Sequence, residues 1–300
     1  MSLRIEVVAG GARTTIQDLG RPGWAHLGVP ASGAADRRAY TLANRLVGNA
    51  EGAPALETTL SGPVLRFGAA TTIALTGAPV EATLAGRSIS MHAPIPVRAG
   101  QELDVGTATS GLRTYVAIRG GLAGETVLGS LSSDQLTGLG PAPLQSGDVL
   151  ELGGDALSSP AVDIAPVAAA TDPVVLPVTL GPREDWFAPD AVTAFLGATF
   201  TVTPQVDRIG VRVAGPQLPW RSDDSMRSEG LALGAVQVPP SGEAIVMLAD
   251  HPTTGGYPVI AVVDEAALGD AAQLRPGGRV RFAVPRAAPR APEDLEEASF

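Results

Sequence analysis

Ala244-Ile245-Val246-Met247-Leu248-Ala249, Asp250-His251-Pro252-Thr253-Thr254-Gly255-Gly256-Tyr257-Pro258, Val259-Ile260-Ala261-Val262-Val263: this stretch reads as strand, loop, strand. A bare turn would join two strands, but this loop carries an acid, an imidazole, two hydroxyls, paired glycines and a phenol. Paired glycines let a backbone approach a ligand closely, because no Cβ intervenes. Loops that join core strands and carry such groups are frequent sites. The competing local reading is a long hairpin loop whose hydroxyls satisfy its own backbone.

An echo lies upstream. Ser110-Gly111-Leu112-Arg113-Thr114-Tyr115-Val116-Ala117-Ile118 parallels Thr254–Val262. Each copy is followed by a similar closing element, Leu144–Leu150 in one case and Leu274–Val280 in the other, and Ser61-Gly62-Pro63 corresponds to Ala214-Gly215-Pro216. A repeated unit of this kind predicts two β-barrel-like halves with a cleft where they meet. The upstream copy has no counterpart to Asp250 or to the paired glycines. That excess polar chemistry in the second copy is what we assign to function.

The rest of the chain agrees with a mainly β fold with few short helices. Short strands recur at roughly ten-residue intervals from Leu3–Val8 to Val280–Val284, punctuated by 36 Gly and 26 Pro. Helical spacing occurs at Ala39, Leu42, Ala43, Leu46 and Val47, with Ser32 or Asp36 as cap and Gly48 at the C-terminal end. A second short helix is predicted over Pro189–Leu196. Thr14–Trp24 is dense in polar groups and turn formers, and Ser130–Gly140 reads as a polar surface excursion. Gly153–Pro173, rich in Ala, Ser, Pro and Asp, reads as the linker. The expected organisation is an N-terminal half over 1–168, a C-terminal half over 169–286 and a flexible tail over 287–300.

Composition excludes several classes. The net charge is −10 and all 21 cationic residues are Arg, so nucleic-acid binding is not expected. Without Lys this chain can form no Schiff base and carry no covalent biotin, and a Walker-type phosphate loop would lack its lysine. Without Cys it has no thiol nucleophile, disulfide or Cys-ligated zinc. The three histidines, His26, His92 and His251, have no metal spacing, so no metal is expected. No signal-peptide core and no membrane-spanning apolar run are found, and a cytoplasmic protein is expected.

Among chemically capable groups, His251 is the best placed histidine for a general base. Asp18, Glu57, Glu229 and Asp250 sit among turn formers beside apolar strands, where desolvation can tune a carboxyl group, and the bland alternative for each is a turn cap or an Arg partner. Arg21, Arg208 and Arg212 could clamp a carboxylate, with an internal salt bridge as the alternative. Ser32 lacks the strand and helix context of a nucleophile turn, and a hydrolase triad is not expected.

Several stretches together resemble a known family. They are Thr14-Thr15-Ile16-Gln17-Asp18-Leu19-Gly20-Arg21-Pro22-Gly23, Gly28–Asp36 with Ala43–Asn49, Leu56-Glu57-Thr58-Thr59, Asp207-Arg208-Ile209-Gly210, Ser228-Glu229-Gly230, Gly234–Pro239 and Asp250–Pro258. In this order they resemble the biotin-dependent carboxyltransferase family, which includes the C-subunit of 5-oxoprolinase, allophanate hydrolase subunit 2, an antagonist of a sporulation kinase inhibitor and the carboxyltransferase part of urea carboxylase. The resemblance implies two cyclophilin-like β-barrel halves. Within the family it is strongest to the 5-oxoprolinase C-subunit, which implies work with subunits B and A in ATP-dependent opening of 5-oxoproline to L-glutamate, the isolated chain being inactive. ATP would be used by the complex. The alternatives are a biotin-dependent carboxyltransferase and a non-enzymatic regulator of a kinase inhibitor. The expected catalytic residues are Asp250, Tyr257 and Glu229. The expected substrate contacts are Gln17, Asp18, Arg21, Glu57, Arg208, Gln237, Thr253, Thr254, Gly255 and Gly256.

Overall fold

The structure, a computed structural model, describes residues 4–154, 156–158, 164–168, 170–221 and 226–285. Strands dominate, and helix among the described residues is confined to α1 (Arg37–Leu46), α2 (Pro189–Gly197) and α3 (Leu268–Ala272) besides short 3-10 turns. The mainly β expectation is met.

The N-terminal half distributes its strands over two sheets. A five-stranded antiparallel sheet runs Thr14–Gln17, Ala55–Thr59, Arg113–Ile118, Thr71–Gly77, Ile95–Val97 in spatial order. A seven-stranded sheet is centred on Arg4–Ala9 and Val64–Phe67. The two share one core, in which Ile5, Val7, Leu65 and Phe67 meet Ile16, Leu56, Ile73, Leu75, Val116 and Ile118.

The five-stranded sheet positions the site, and its alternation explains how. Successive side chains of a strand point to opposite faces. In register, Ile16 lies beside Leu56, Leu56 beside Val116 and Val116 beside Leu75, and this face fills the core. The opposite face carries Thr15, Glu57 and Tyr115 as neighbours, flanked by Gln17 and Arg113. Part of it is covered by α1, whose Ala39, Tyr40, Ala43 and Leu46 pack on Ala55, Ala74, Tyr115 and Ala117. Of the two candidate caps, Asp36 is the one used, accepting from the Ala39 N–H at 3.1 Å. The remaining charged part of that face meets the C-terminal half.

The C-terminal half is a closed seven-stranded barrel. Val211 and Val213 enter its core while Arg212 between them points outward to Glu243 at 3.5 Å, so Arg212 is an internal ion pair and not a free clamp. Phe195 from α2 stacks on Phe282 with ring centroids 4.5 Å apart, and Phe200 packs edge-on against Phe282. These rings fill a barrel otherwise lined by Val, Leu and Ile.

Several expectations need correction. Thr14–Gln17, expected within a turn-rich segment, is a buried strand. The Ser130–Gly140 excursion is not all at the surface: Ser130, Leu131, Ser132, Ser133 and Asp134 are buried, because side chains from Gln17 to Arg21 satisfy their polar atoms. Helix α3 is too short for its spacing to show in the sequence. The two closing strands do each pair with the first strand of their half, but with opposite polarity. Val149–Leu152 runs antiparallel to Arg4–Ala9, whereas Arg279–Ala283 runs parallel to Val174–Leu180. Between Leu152 and Val174 the described residues hold no strand or helix. The expected tail, 287–300, lies outside the described residues.

Candidate functional site

Where the polar face of the five-stranded sheet meets the barrel, four charges are buried together. Arg208 is 2% exposed, Glu57 2%, Arg113 1% and Asp250 0%. Arg208 follows the turn residue Asp207, whose carboxylate accepts from the Ile209 and Gly210 N–H groups at 2.7 and 3.0 Å. That turn aims the guanidinium at the other half. Its Nε donates to Asp250 Oδ2 and its Nη2 to Asp250 Oδ1, both at 2.8 Å. Its Nη1 donates to Glu57 and its Nη2 also to the Gly33 carbonyl at 2.6 Å. Burial pulls Arg208 towards losing its proton, but Glu57 and Asp250 outweigh this and hold it charged, above its ordinary range.

Asp250 and Glu57 are saturated. Asp250 Oδ1 also accepts from the Ser32 hydroxyl at 2.7 Å, and Oδ2 from the Gln135 N–H at 2.9 Å. Glu57 Oε2 accepts from the Tyr115 hydroxyl at 2.8 Å and the Ala35 N–H at 2.9 Å. Burial, then the negative charges of Glu57 and Asp36, raise the Tyr115 phenol well above its ordinary value, so it stays a donor. Four donors surround the Asp250 carboxylate, two of them from one arginine. Asp250, expected to be catalytic, is thus occupied by these donors at the junction of the two halves and shielded from solvent. It welds the base of its loop to the other half.

Three other expected contacts are also occupied internally. Asp18 accepts from Ser130 Oγ and Ser132 Oγ, each at 2.6 Å, and from the Leu131 N–H at 2.6 Å. Arg21 donates to the carbonyls of Val127 and Ser132. Gln17 donates to the Ser133 carbonyl at 3.0 Å and accepts from Arg208 at 3.4 Å. Together they hold the segment 127–135 in place, which in turn presents the Gln135 N–H to Asp250.

The far end of the 250–258 loop is different. Thr254 and Gly255 pair antiparallel with Glu229 and Gly230 in a small two-stranded sheet. Arg183 donates to Glu229 Oε2 through Nε at 3.0 Å and Nη2 at 2.7 Å. Gln237, buried beneath, donates to the Tyr257 carbonyl at 3.0 Å. A Cβ on Gly255 would fall 2.5 Å from Gln237 Nε2, so any larger residue there requires that amide to shift. Tyr257 is 44% exposed, and Thr253, Gly256 and Glu229 are half-buried. The structure thus brings Glu229, Thr253, Thr254, Gly255, Gly256 and Tyr257 into one accessible patch, with Gln237 buried beneath it.

His251 lies between the two ends. Its Nδ1 sits 2.8 Å from the Pro252 carbonyl, which accepts only, so Nδ1 carries the proton and Nε2 is left as an acceptor. Burial lowers its pKa below the ordinary value, opposed by the Pro252 carbonyl and Asp250. Among the described residues, no group of three or more His, Asp or Glu is placed to hold a metal ion, and no helix is long and apolar enough to cross a membrane.

Sequence reasoning missed Arg183, Gln135, Arg113 and Gln273. For Arg113 a signal existed, since Arg113 and Tyr115 alternate against Val116 and Ile118 in one strand. For the others none did, because their partners lie 46 to 237 residues away.

This fold and this motif order define a class. Residues 27–284 match the family described as carboxyltransferase domain, subdomain A and B, and the chain belongs to that family. It is 36% identical to the C-subunit of 5-oxoprolinase of Escherichia coli (strain K12) over 282 residues, covering 93% of this chain and 90% of that protein. It is 35% identical to urea amidolyase of Saccharomyces cerevisiae over 307 residues, covering 93% of this chain but only 16% of that protein's length. The solved structure of Kluyveromyces lactis urea carboxylase is 34% identical and superposes with a TM-score of 0.87, over 95% of this chain and 28% of the other.

Proposed function

We propose that this chain acts as the C-subunit of a cytoplasmic, multi-subunit 5-oxoprolinase, opening 5-oxoproline to L-glutamate at the expense of ATP together with subunits A and B. The observation that carries this reading is the alignment with 90% of the E. coli 5-oxoprolinase protein, against 16% of the yeast urea amidolyase. The physical requirements fit. An unstrained lactam is a poor electrophile, so its oxygen must be activated, and phosphorylation by ATP does this. Water then attacks the activated carbon, the ring C–N bond breaks as its nitrogen takes up a proton, and phosphate is released, so protons must be moved. This chain offers no Gly-rich phosphate loop, so its partners hold the nucleotide. Its own contribution is the accessible patch. Tyr257 and Glu229 exchange or orient protons, the backbone at Gly255 and Gly256 lets the substrate come close, and Thr253 and Thr254 supply hydroxyls. Asp250, Arg208 and Glu57 hold that patch in register with the N-terminal half.

Carboxyl transfer is the second reading, favoured by the superposition on urea carboxylase. There a carboxybiotin carried on another chain would enter the same patch. Coexpression with candidate subunits A and B, followed by an assay of ATP-dependent glutamate formation from 5-oxoproline, separates the two. An intact complex without turnover sinks the first reading, and transfer from a biotinylated carrier to an acceptor amide establishes the second.

A further inference from the structure

A cavity of about 290 Å³ opens at the junction of the two halves, away from the Gly255 patch. Its walls include Arg13, Thr15, Gln135, Leu139, Pro141 and Arg208. Arg13 and Thr15 come from the start of the Thr14–Gln17 strand and share its polar face, since Ile16 turns into the N-terminal core. The opposite wall is the segment 133–143. That segment is pinned through Gln17 to Ser133 and through Asp250 to Gln135, so the cavity is preformed.

The polar groups on these walls are unevenly satisfied. Arg208 is spent on Asp250, Glu57 and Gly33. Asp134 is the one acid on the walls, and its carboxylate accepts from the Leu136 N–H at 2.9 Å and from Thr137 of its own turn. It does not neutralise Arg13. Arg13 has no carboxylate partner among the described residues, and its buried Nε has no hydrogen-bond acceptor. Thr15 Oγ1 accepts from Gln17 Nε2 at 3.0 Å, which leaves its own O–H free to donate. Arg13 stands on the cavity wall, half-buried and without a carboxylate partner among the described residues, so its guanidinium favours an anion that can reach it. A planar carboxylate matches the guanidinium fork in shape and charge, and Leu139, Pro141, Ala142 and Pro143 offer an apolar wall to a short hydrocarbon body. The volume is near the lower end for small-molecule sites, about 300 Å³.

We propose that this cavity is a binding site for a small organic monocarboxylate, with Arg13 pairing its carboxylate and the Thr15 hydroxyl donating to it. The inference stands apart from the 5-oxoprolinase reading, because it needs neither partner subunits nor the Gly255 patch.

Titration calorimetry of the purified chain with cyclopentanecarboxylate tests it, since this probe has a ring and a carboxylate but no lactam. Saturable binding is expected, with the neutral cyclopentanecarboxamide failing to bind. Arg13→Gln is expected to weaken binding at least about tenfold, with an unchanged melting curve because Arg13 is half-exposed. Arg87→Gln, at an exposed position on a peripheral strand, is expected to leave binding unchanged. No saturable binding of the carboxylate, or binding that survives Arg13→Gln undiminished, overturns the proposal. Tighter binding of inorganic phosphate than of the carboxylate overturns the assigned ligand class.

Discussion

Arg208 Nε and Asp250 Oδ2 lie 2.8 Å apart, both side chains almost wholly buried, at the base of the loop that carries Tyr257. The pair belongs to the C-terminal half, yet its other partners, Glu57, Ser32, Gly33 and Gln135, all come from the N-terminal half. A buried ion pair of this kind is costly to break, because each orphaned charge keeps its desolvation penalty. Arg208→Met leaves Glu57 and Asp250 as adjacent buried acids. It is expected to lower unfolding stability by about 3–5 kcal/mol. Urea unfolding at neutral pH measures this, and a loss under about 1 kcal/mol would refute the weld.

Another fastening between the halves runs through the Gln273 amide. Gln273 Oε1 accepts from the N–H groups of Leu112 and Arg113 at 3.0 and 2.9 Å, and its Nε2 donates to Asp36 Oδ2 and the Arg113 carbonyl at 2.9 Å each. Gly269 lies so close to α1 that a Cβ would meet Asp36 Oδ1 at 2.6 Å. Gln273→Ala is expected to cost about 1–3 kcal/mol, because partly buried backbone donors lose their acceptor. Amide hydrogen exchange at Leu112 and Arg113 should accelerate along with the loss of stability.

At the accessible patch the signature reverses. Tyr257 is exposed, and the Arg183–Glu229 pair has side chains 42% and 27% exposed, so neither group adds much to stability. Tyr257→Phe and Glu229→Gln are expected to leave the melting temperature within a few degrees of the parent. Turnover of the assembled complex should fall by about 100-fold, a typical general acid–base contribution. Asp250→Asn, by contrast, should lower stability and activity together. Full activity in both Tyr257→Phe and Glu229→Gln would remove the patch from the mechanism.

Gly255→Ala probes how closely the loop must pass. The added methyl would meet the Gln237 amide at 2.5 Å and push it off the Tyr257 carbonyl. Activity is expected to fall at least about tenfold with a stability loss of about 1–3 kcal/mol, the range for overpacking. Gln237→Ala in the same chain makes room for the methyl and should recover part of that stability but not the activity.

Acid sensitivity should carry a histidine component. Burial lowers the pKa of His251 and of His92 from the ordinary 6.5. As the pH falls through 6.5, the unfolded chain takes up these protons first, so the folded state loses stability until its own histidines protonate. Above that value both states are neutral and the stability is fully present. Urea unfolding between about pH 7.5 and about pH 5.0 should show this decline, and His251→Gln should flatten part of it. An unchanged slope in His251→Gln would mean that this ring is not desolvated in the folded chain.

Much of this was readable in residues taken one strand at a time. The alternation in Ala55–Thr59 and Arg113–Ile118 announces sheets, and the spacing of Ala39, Ala43 and Leu46 announces α1, because burying one face imposes a period of about 2 on strands and about 3.6 on helices. The odd richness of Asp250–Pro258 was equally visible. What each of its groups does was not. Asp250 and Tyr257 stand in one loop, yet one is sealed under Arg208 and the other meets solvent. That division depends on Glu57, Ser32 and Gln135 arriving from the other half. Such contacts leave no local periodicity, since a charge is indifferent to sequence distance and only the meeting of the two halves brings these together. The same holds for Ser130–Asp134, polar enough to read as surface and buried because Asp18 supplies its acceptors. Sequence patterning determined the sheets, the helix and the family of this chain; which polar groups are sealed and which remain available was decided by tertiary packing, because desolvation and pairing are properties of the assembled interface.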